Sequence, residues 1–185
     1  LTAAQTGLRV SELFCLTNFS FLQGASHAEE LAERAVKLGY SALAITDECS
    51  LAGVVRAHGV AKKHGLPLII GAHFHLQQHD GRPALSLIAL AQNRNGYGNL
   101  SEMITLARTR SEKGSYLIHP DDFAAPAPEY AHLKGLPDCL LILLPTYPGH
   151  EALDVDRLHM PAAWMAAHFP GRCWIGLNLL HRAFD

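Results

Sequence analysis

Residues 26–47 read Ser-His-Ala-Glu-Glu-Leu-Ala-Glu-Arg-Ala-Val-Lys-Leu-Gly-Tyr-Ser-Ala-Leu-Ala-Ile-Thr-Asp, and two hydrophobic periods follow one another within them. Ser26 stands three residues before Glu29, the spacing of a capping box, and opens an amphipathic helix over 27–38. Gly39 supplies the stop, since glycine alone enters the left-handed C-terminal turn without penalty. Residues 41–46 are then a short apolar run of strand length, ending at Asp47. Helix, glycine and strand in close succession are the repeating unit of an α/β fold.

The alternation continues outward. Ser50 is placed to cap a second helix through His64, closed by Gly65. Residues 66–76 and 84–91 read as strands, and a third helix starts at Gly98-Asn99 or Ser101 and runs to about Arg110. The Pro- and Ala-rich stretch 120–128 reads as a loop. Residues 139–144 are almost wholly apolar, as in a strand buried on both faces. Residues 151–168 read as a helix that Pro161 should kink or split, and 173–180 as a last apolar strand. Strands alternating with helices imply one α/β domain with a parallel sheet or barrel.

Composition narrows the function. The 185 residues are 49% hydrophobic and 17% charged, which excludes an intrinsically disordered chain. No apolar run reaches the ~18–20 residues of a membrane span, and no basic stretch followed by an apolar one marks a secretory signal. The chain opens on Leu1 rather than Met, which suggests an internal fragment or a cut piece. A net charge of −2 argues against a stand-alone nucleic-acid binder, whose phosphate affinity comes from Lys and Arg. Cys15, Cys49, Cys139 and Cys173 include no C-x-x-C pair and read as buried thiols of a reducing cytoplasm. The 12 histidines are the compositional oddity and raise the question of a metal site.

In α/β folds the reactive groups gather at the carboxyl ends of strands. That singles out Asp47-Glu48, the pair His73-x-His75 and the loop after Leu16, where Gly24 marks a turn. His73 and His75 share one face of a strand, with His79 close by in sequence. Without a third and fourth donor the pair equally suits a solvated edge strand. Asp47 and Glu48 suit a metal or acid–base work, and Asp47 equally suits a cap on the turn that follows. The helix entry Gly24-Ala-Ser-His27 offers N–H groups for a phosphate, although most such entries bind only their own cap. Tyr97 and Tyr116 lack the basic stripe that base stacking would need. His58, His64, His132 and His168 read as surface or half-buried residues. The sequence contains no G-x-S-x-G, Walker loop or G-x-G-x-x-G.

Four stretches carry a family resemblance. Leu13-Phe-Cys-Leu-Thr-Asn-Phe-Ser-Phe-Leu-Gln-Gly-Ala-Ser26 resembles the opening motif of the PHP (polymerase and histidinol phosphatase) domain. Leu43-Ala-Ile-Thr-Asp-Glu-Cys-Ser-Leu-Ala-Gly-Val-Val55 is similar to its second motif. Ile69-Ile-Gly-Ala-His-Phe74 and Gly96-Tyr-Gly-Asn-Leu-Ser-Glu102 are similar to the third and fourth. The wording is nearest to the PHP domains of bacterial error-prone DNA polymerases of the DnaE (DNA polymerase III alpha subunit-like) type. The resemblance is strongest over 11–110 and continues to the end through Phe169-Pro-Gly-Arg-Cys-Trp-Ile175. It implies an α/β fold, the distorted seven-stranded (β/α)7 PHP barrel, over residues 1–185. The family's carboxyl-terminal ligand motifs would fall beyond Asp185, so the amino-terminal portion of that barrel is expected.

Active family members bind two or three metals and hydrolyse phosphate esters, in some polymerases as a 3′–5′ proofreading exonuclease. Here Phe14 and Leu16 stand where the first motif offers His-x-His, and Gln23 where it offers an aspartate. Thr-Asp-His becomes Thr46-Asp47-Glu48, the third-motif glutamate becomes His73, and Ser86 replaces a further histidine. The resemblance therefore implies a vestigial metal site at Phe14, Leu16, Gln23, Glu48, His73 and Ser86, with no catalytic residue and no cofactor expected. The competing expectation is an active phosphoesterase holding zinc or manganese (Zn or Mn) on Asp47, Glu48, His73 and His75. By resemblance the parent chain is a DNA-directed DNA polymerase of replication, translesion synthesis and repair after DNA damage, cytoplasmic and not membrane-bound. The expected partners are the rest of the polymerase chain and mutagenesis accessory proteins, with DNA met only through the parent polymerase.

Overall fold

The computed structural model describes residues 9–145 and 155–177. In chain order these form β1 (Ser11–Glu12), α1 (Ala28–Leu38), β2 (Ala42–Ile45), α2 (Val54–His64), β3 (Leu68–Gln77), β4 (Pro83–Ala91) and α3 (Arg94–Thr109). A short α4 (Asp121–Ala124), a 3₁₀ turn at Pro128–Leu133, β5 (Cys139–Leu144), α5 (Val155–His168) and β6 (Cys173–Ile175) follow. They fall into two compact units that divide between His73 and Phe74, within β3.

Small side chains set the packing of the first unit. Ala28, Ala32 and Ala35 of α1 and Ala57 and Ala61 of α2 are buried in one cluster with Leu43, Ile45, Val54 and Leu66. Alanine at these positions lets the helix backbones approach closely while the larger aliphatics fill the space, each worth ~1.5–3 kcal/mol when buried. The strands are parallel, β1 to β2 with Ser11 opposite Ala42, and β2 to β3 with Leu43 opposite Leu68. Gly39 and Gly65 close the two helices at φ 75° and 66°.

Both helix starts lie later than the sequence suggests. His27, not Ser26, caps α1, and its backbone N–H donates to Glu30 Oε2 at 2.9 Å. The Ser26 carbonyl is occupied by the Asn18 N–H at 2.9 Å, which ties Ser26 to the preceding loop. Ser50 Oγ accepts from the Ala52 N–H at 3.1 Å in a separate turn, and α2 begins only after Gly53.

In the second unit β4 and β5 are antiparallel, from Ser86 opposite Leu144 to Ala91 opposite Cys139, while β5 and β6 are parallel. The parallel sheet or barrel expected from sequence thus contains an antiparallel pair, β4 with β5. The turn between β3 and β4 is closed by the Gln78 N–H to the Arg82 carbonyl at 2.8 Å, with Gly81 at φ 83°. A turn this short has no room for a crossover helix, so the chain reverses.

α3 starts at Arg94, because the Asn93 side chain accepts from the Gly96 N–H at 3.0 Å. The glycines that suggested a later start lie inside the helix. A Cβ on Gly96 would come within 2.1 Å of the Asp138 carbonyl oxygen. The stretch 120–128 is more ordered than a loop, since α4 buries Phe123. α5 is continuous through Pro161, and the turns after it are held by buried Met165 and by Trp164 edge-on to Phe123 and Phe169. The expected start of α5 at residue 151 lies outside the described residues. β6 ends at Ile175 rather than running on toward residue 180, and residues 178–180 lie outside the described residues.

Candidate functional site

Asp47 leaves the end of β2 fully buried. Its Oδ1 accepts from the Thr17 N–H and from Ser20 Oγ, both at 2.7 Å, and its Oδ2 accepts from Thr17 Oγ at 2.8 Å. Ser20 Oγ in turn accepts from the Glu48 N–H at 2.9 Å. The Ser20 carbonyl accepts from the Gln23 and Gly24 N–H groups at 3.0 and 2.9 Å. One carboxylate therefore organises the whole loop 17–24, which precedes it in sequence, rather than capping the turn that follows. Glycines make this possible: a Cβ on Gly24 would meet the Thr17 carbonyl at 2.0 Å, and one on Gly53 would meet Asp47 Oδ2 at 2.7 Å. Burial pushes the neighbouring Cys15 thiol up to about 12, and the charges of Glu12 and Asp47 add to the shift.

Glu48 and His73 lie opposite one another across an isolated parallel bridge. The His73 N–H donates to the Asp47 carbonyl at 3.1 Å, and the Cys49 N–H donates to the His73 carbonyl at 2.8 Å. The two positions whose residue types are exchanged relative to the family motifs are therefore adjacent. Gln23 Nε2 donates to Glu48 Oε2. The Phe14 ring stands edge-on to the His73 imidazole, centroids 5.2 Å apart at 74°, and His73 is only 3% exposed. Leu16 is half-buried. The first unit thus brings together Phe14, Gln23, Asp47, Glu48 and His73.

His75 and Ser86 belong to the second unit. His75 Nδ1 lies 2.7 Å from the Oγ of fully buried Ser86, and the His75 N–H donates to the Tyr116 hydroxyl at 2.9 Å. The Arg108 guanidinium lies over the Tyr116 ring at 5.5 Å. The solvated edge strand does not describe these histidines, because β3 lies between β2 and β4 in the strand order, His73 is buried and His75 is half-buried. His79 is elsewhere on the surface, 3.0 Å from Asp121 Oδ2 and stacked on His119 at 4.3 Å. His132 pairs with Glu102 at 2.9 Å. All four cysteines are thiols, two buried and two half-buried. Among the described residues no group of three or more His, Cys, Asp or Glu is placed to hold a metal ion, and no helix is long and apolar enough to cross a membrane.

Sequence reasoning missed Thr17, Ser20 and Arg172. The first two are legible in retrospect as hydroxyls three apart before a turn glycine, a pattern that binds carboxylates and backbone. Arg172 leaves no local signal, because its Nη1 donates to the Leu136 and Cys139 carbonyls at 3.1 and 2.7 Å and its Nη2 to Gly135 at 2.7 Å. All three acceptors are more than thirty residues away.

Solved structures of other proteins share this fold. A protein from Bifidobacterium adolescentis described as a metal-dependent phosphoesterase superposes with TM-score 0.55 at 17% identity, over 90% of this chain and 76% of its own. An amidohydrolase from Chromobacterium violaceum, solved with sulfate and no metal, gives TM-score 0.58 at 16% identity over 89% and 75%. The α/β class and partial-barrel arrangement expected from sequence agree with both.

The PHP domain family profile matches residues 12–151, and the chain belongs to that family. Among curated relatives, an error-prone DNA polymerase of Bordetella parapertussis is 61% identical over 95% of this chain and 16% of its own length. One of Burkholderia mallei is 52% identical over 95% and 17%. The chain thus spans about a sixth of the length of these relatives.

Proposed function

We propose that residues 1–185 are a non-catalytic, structural PHP domain of an error-prone DNA polymerase. Its part is a folded platform packed against the rest of the polymerase chain, and nucleotidyl transfer in damage-induced synthesis is left to other domains. The observation that carries this reading is the pair of contacts at the family's metal positions. Phe14 sets a ring edge against His73, and Gln23 points an amide N–H at Glu48.

A di- or trinuclear centre needs several carboxylates and imidazoles to hold the ions together and to lower the pKa of a bridging water. Phe14 and Leu16 carry no donor atom. Gln23 is neutral and spends its amide on Glu48, while Asp47 spends both oxygens on Thr17 and Ser20. The remaining donors do not fit such a centre. Location in a bacterial cytoplasm and DNA contact through the parent polymerase belong to the same proposal.

The test is hydrolysis of bis(p-nitrophenyl) phosphate by the purified protein with added manganese or zinc. The reading predicts no turnover above buffer containing the same metal. Turnover that disappears in His73→Ala would establish the competing phosphoesterase.

A further inference from the structure

We infer that the tip of the Asp47-held loop, Phe21 and Leu22, docks into an apolar socket elsewhere in the same polypeptide. This rests on the reading that the chain is one domain of a longer polymerase. Phe21 is 83% exposed and Leu22 90% exposed, two large apolar residues side by side at a loop apex. The apex is presented by a rigid base. Asp47 fixes Thr17 and Ser20, the Ser20 carbonyl closes the turn on Gln23 and Gly24, and Gly24 packs with no room for a Cβ. Leu22 is held at φ 62°, a left-handed conformation that a branched aliphatic residue adopts only under constraint. Arg56 lies 5.8 Å over the Phe19 ring and 3.7 Å from Glu29, so Phe19 has a partner within the unit and is less exposed than Phe21 and Leu22.

Size decides the occupant. A stable contact between separate proteins buries ~800 Å² on each partner, far more than two side chains supply. A tethered partner faces no such requirement, because a linker gives an effective concentration in the millimolar range and the second contact becomes intramolecular. A tip already fixed in its docked shape also avoids much of the ordering cost. Relatives 61% and 52% identical carry the matching stretch in chains about six times longer, and on the proposed reading the same arrangement supplies the tether here. The geometry favours a socket in the same chain over a second copy or a separate partner.

The experiment uses the full-length chain with Leu22→Cys or, separately, Phe21→Cys. Each is treated with a small maleimide, natively and after unfolding in guanidinium, and the labelled peptide is quantified by mass spectrometry. The inference predicts native labelling about tenfold or more slower than unfolded labelling, set by how seldom the docked tip opens, and independent of protein concentration. Two variants are used so that loss of one knob residue does not itself undo the docking. Native labelling as fast as unfolded labelling in both would overturn the inference. So would protection that grows with protein concentration, which would mean a second copy. Neither outcome depends on metal or hydrolysis, so a failure here is distinct from a failure of the non-catalytic reading.

Discussion

Two loops of this molecule are each held by one charged side chain, and the two work with opposite polarity. In the first unit Asp47 collects N–H and O–H donors from Thr17 and Ser20. In the second, half-buried Arg172 collects the carbonyls of Gly135, Leu136 and Cys139, and three residues there, Gly135, Leu136 and Asp138, have positive φ. The acid is sealed from water and the arginine is not. The Asp47 loop carries an exposed apolar tip and the Gln23 contact to Glu48, whereas the Arg172 loop brings the chain into β5. A residue type shared with metal sites here anchors a loop through hydrogen bonds to Thr17 and Ser20.

The larger anchoring effect belongs to Asp47. Asp47→Ala leaves buried Thr17 and Ser20 donors without acceptors, and equilibrium urea unfolding should register a loss of about 3–5 kcal/mol. Asp47→Asn, which keeps one acceptor, should lose less. If Asp47→Ala were as stable as the parent, the anchoring role would be wrong. Gly24→Ala comes next. Its methyl group would collide with the Thr17 carbonyl, and a loss of about 2–3 kcal/mol is expected in the same measurement. Arg172→Ala should cost about 1–2 kcal/mol, since the carbonyls of buried Gly135, Leu136 and Cys139 lose a donor but are neutral acceptors, and no charge is left buried without a partner.

Much of the architecture is legible in the sequence, and the misses have local causes. The glycine stops at Gly39 and Gly65, the strands before Asp47 and after Gly65, and the buried run 139–144 follow from short-range pattern. The start of α3 does not, because Gly96 is there for close approach to the Asp138 backbone 42 residues later, and helix propensity knows nothing of that. At the site, Glu48 and His73 are each legible as motif positions, but their adjacency comes from the parallel bridge between the end of β2 and the middle of β3. The duty of Asp47 was legible only as alternatives, since a carboxylate after a strand looks the same whether it will meet a metal or two hydroxyls. The burial of His73 under Phe14 depends on residues 59 positions apart, beyond any periodicity.

The smallest effect concerns pH. Burial, followed by the Glu12 and Asp47 charges, raises the Cys15 thiol to about 12 from 9.0. The folded state thus favours the neutral thiol. That contribution is fully present below pH 9 and is lost progressively as pH rises toward 12. Iodoacetamide at pH 8 should therefore leave Cys15 largely unmodified in the folded protein, and unfolding should restore its reactivity. Rapid native alkylation at that pH would contradict the raised pKa of Cys15 beside Asp47.

The claim that this PHP domain is architectural is tested most directly by the metal content of the purified protein, measured by elemental mass spectrometry after growth with manganese and zinc. The account predicts sub-stoichiometric metal that does not change in His73→Ala. Stoichiometric manganese or zinc in the parent, lost on that substitution, would contradict it.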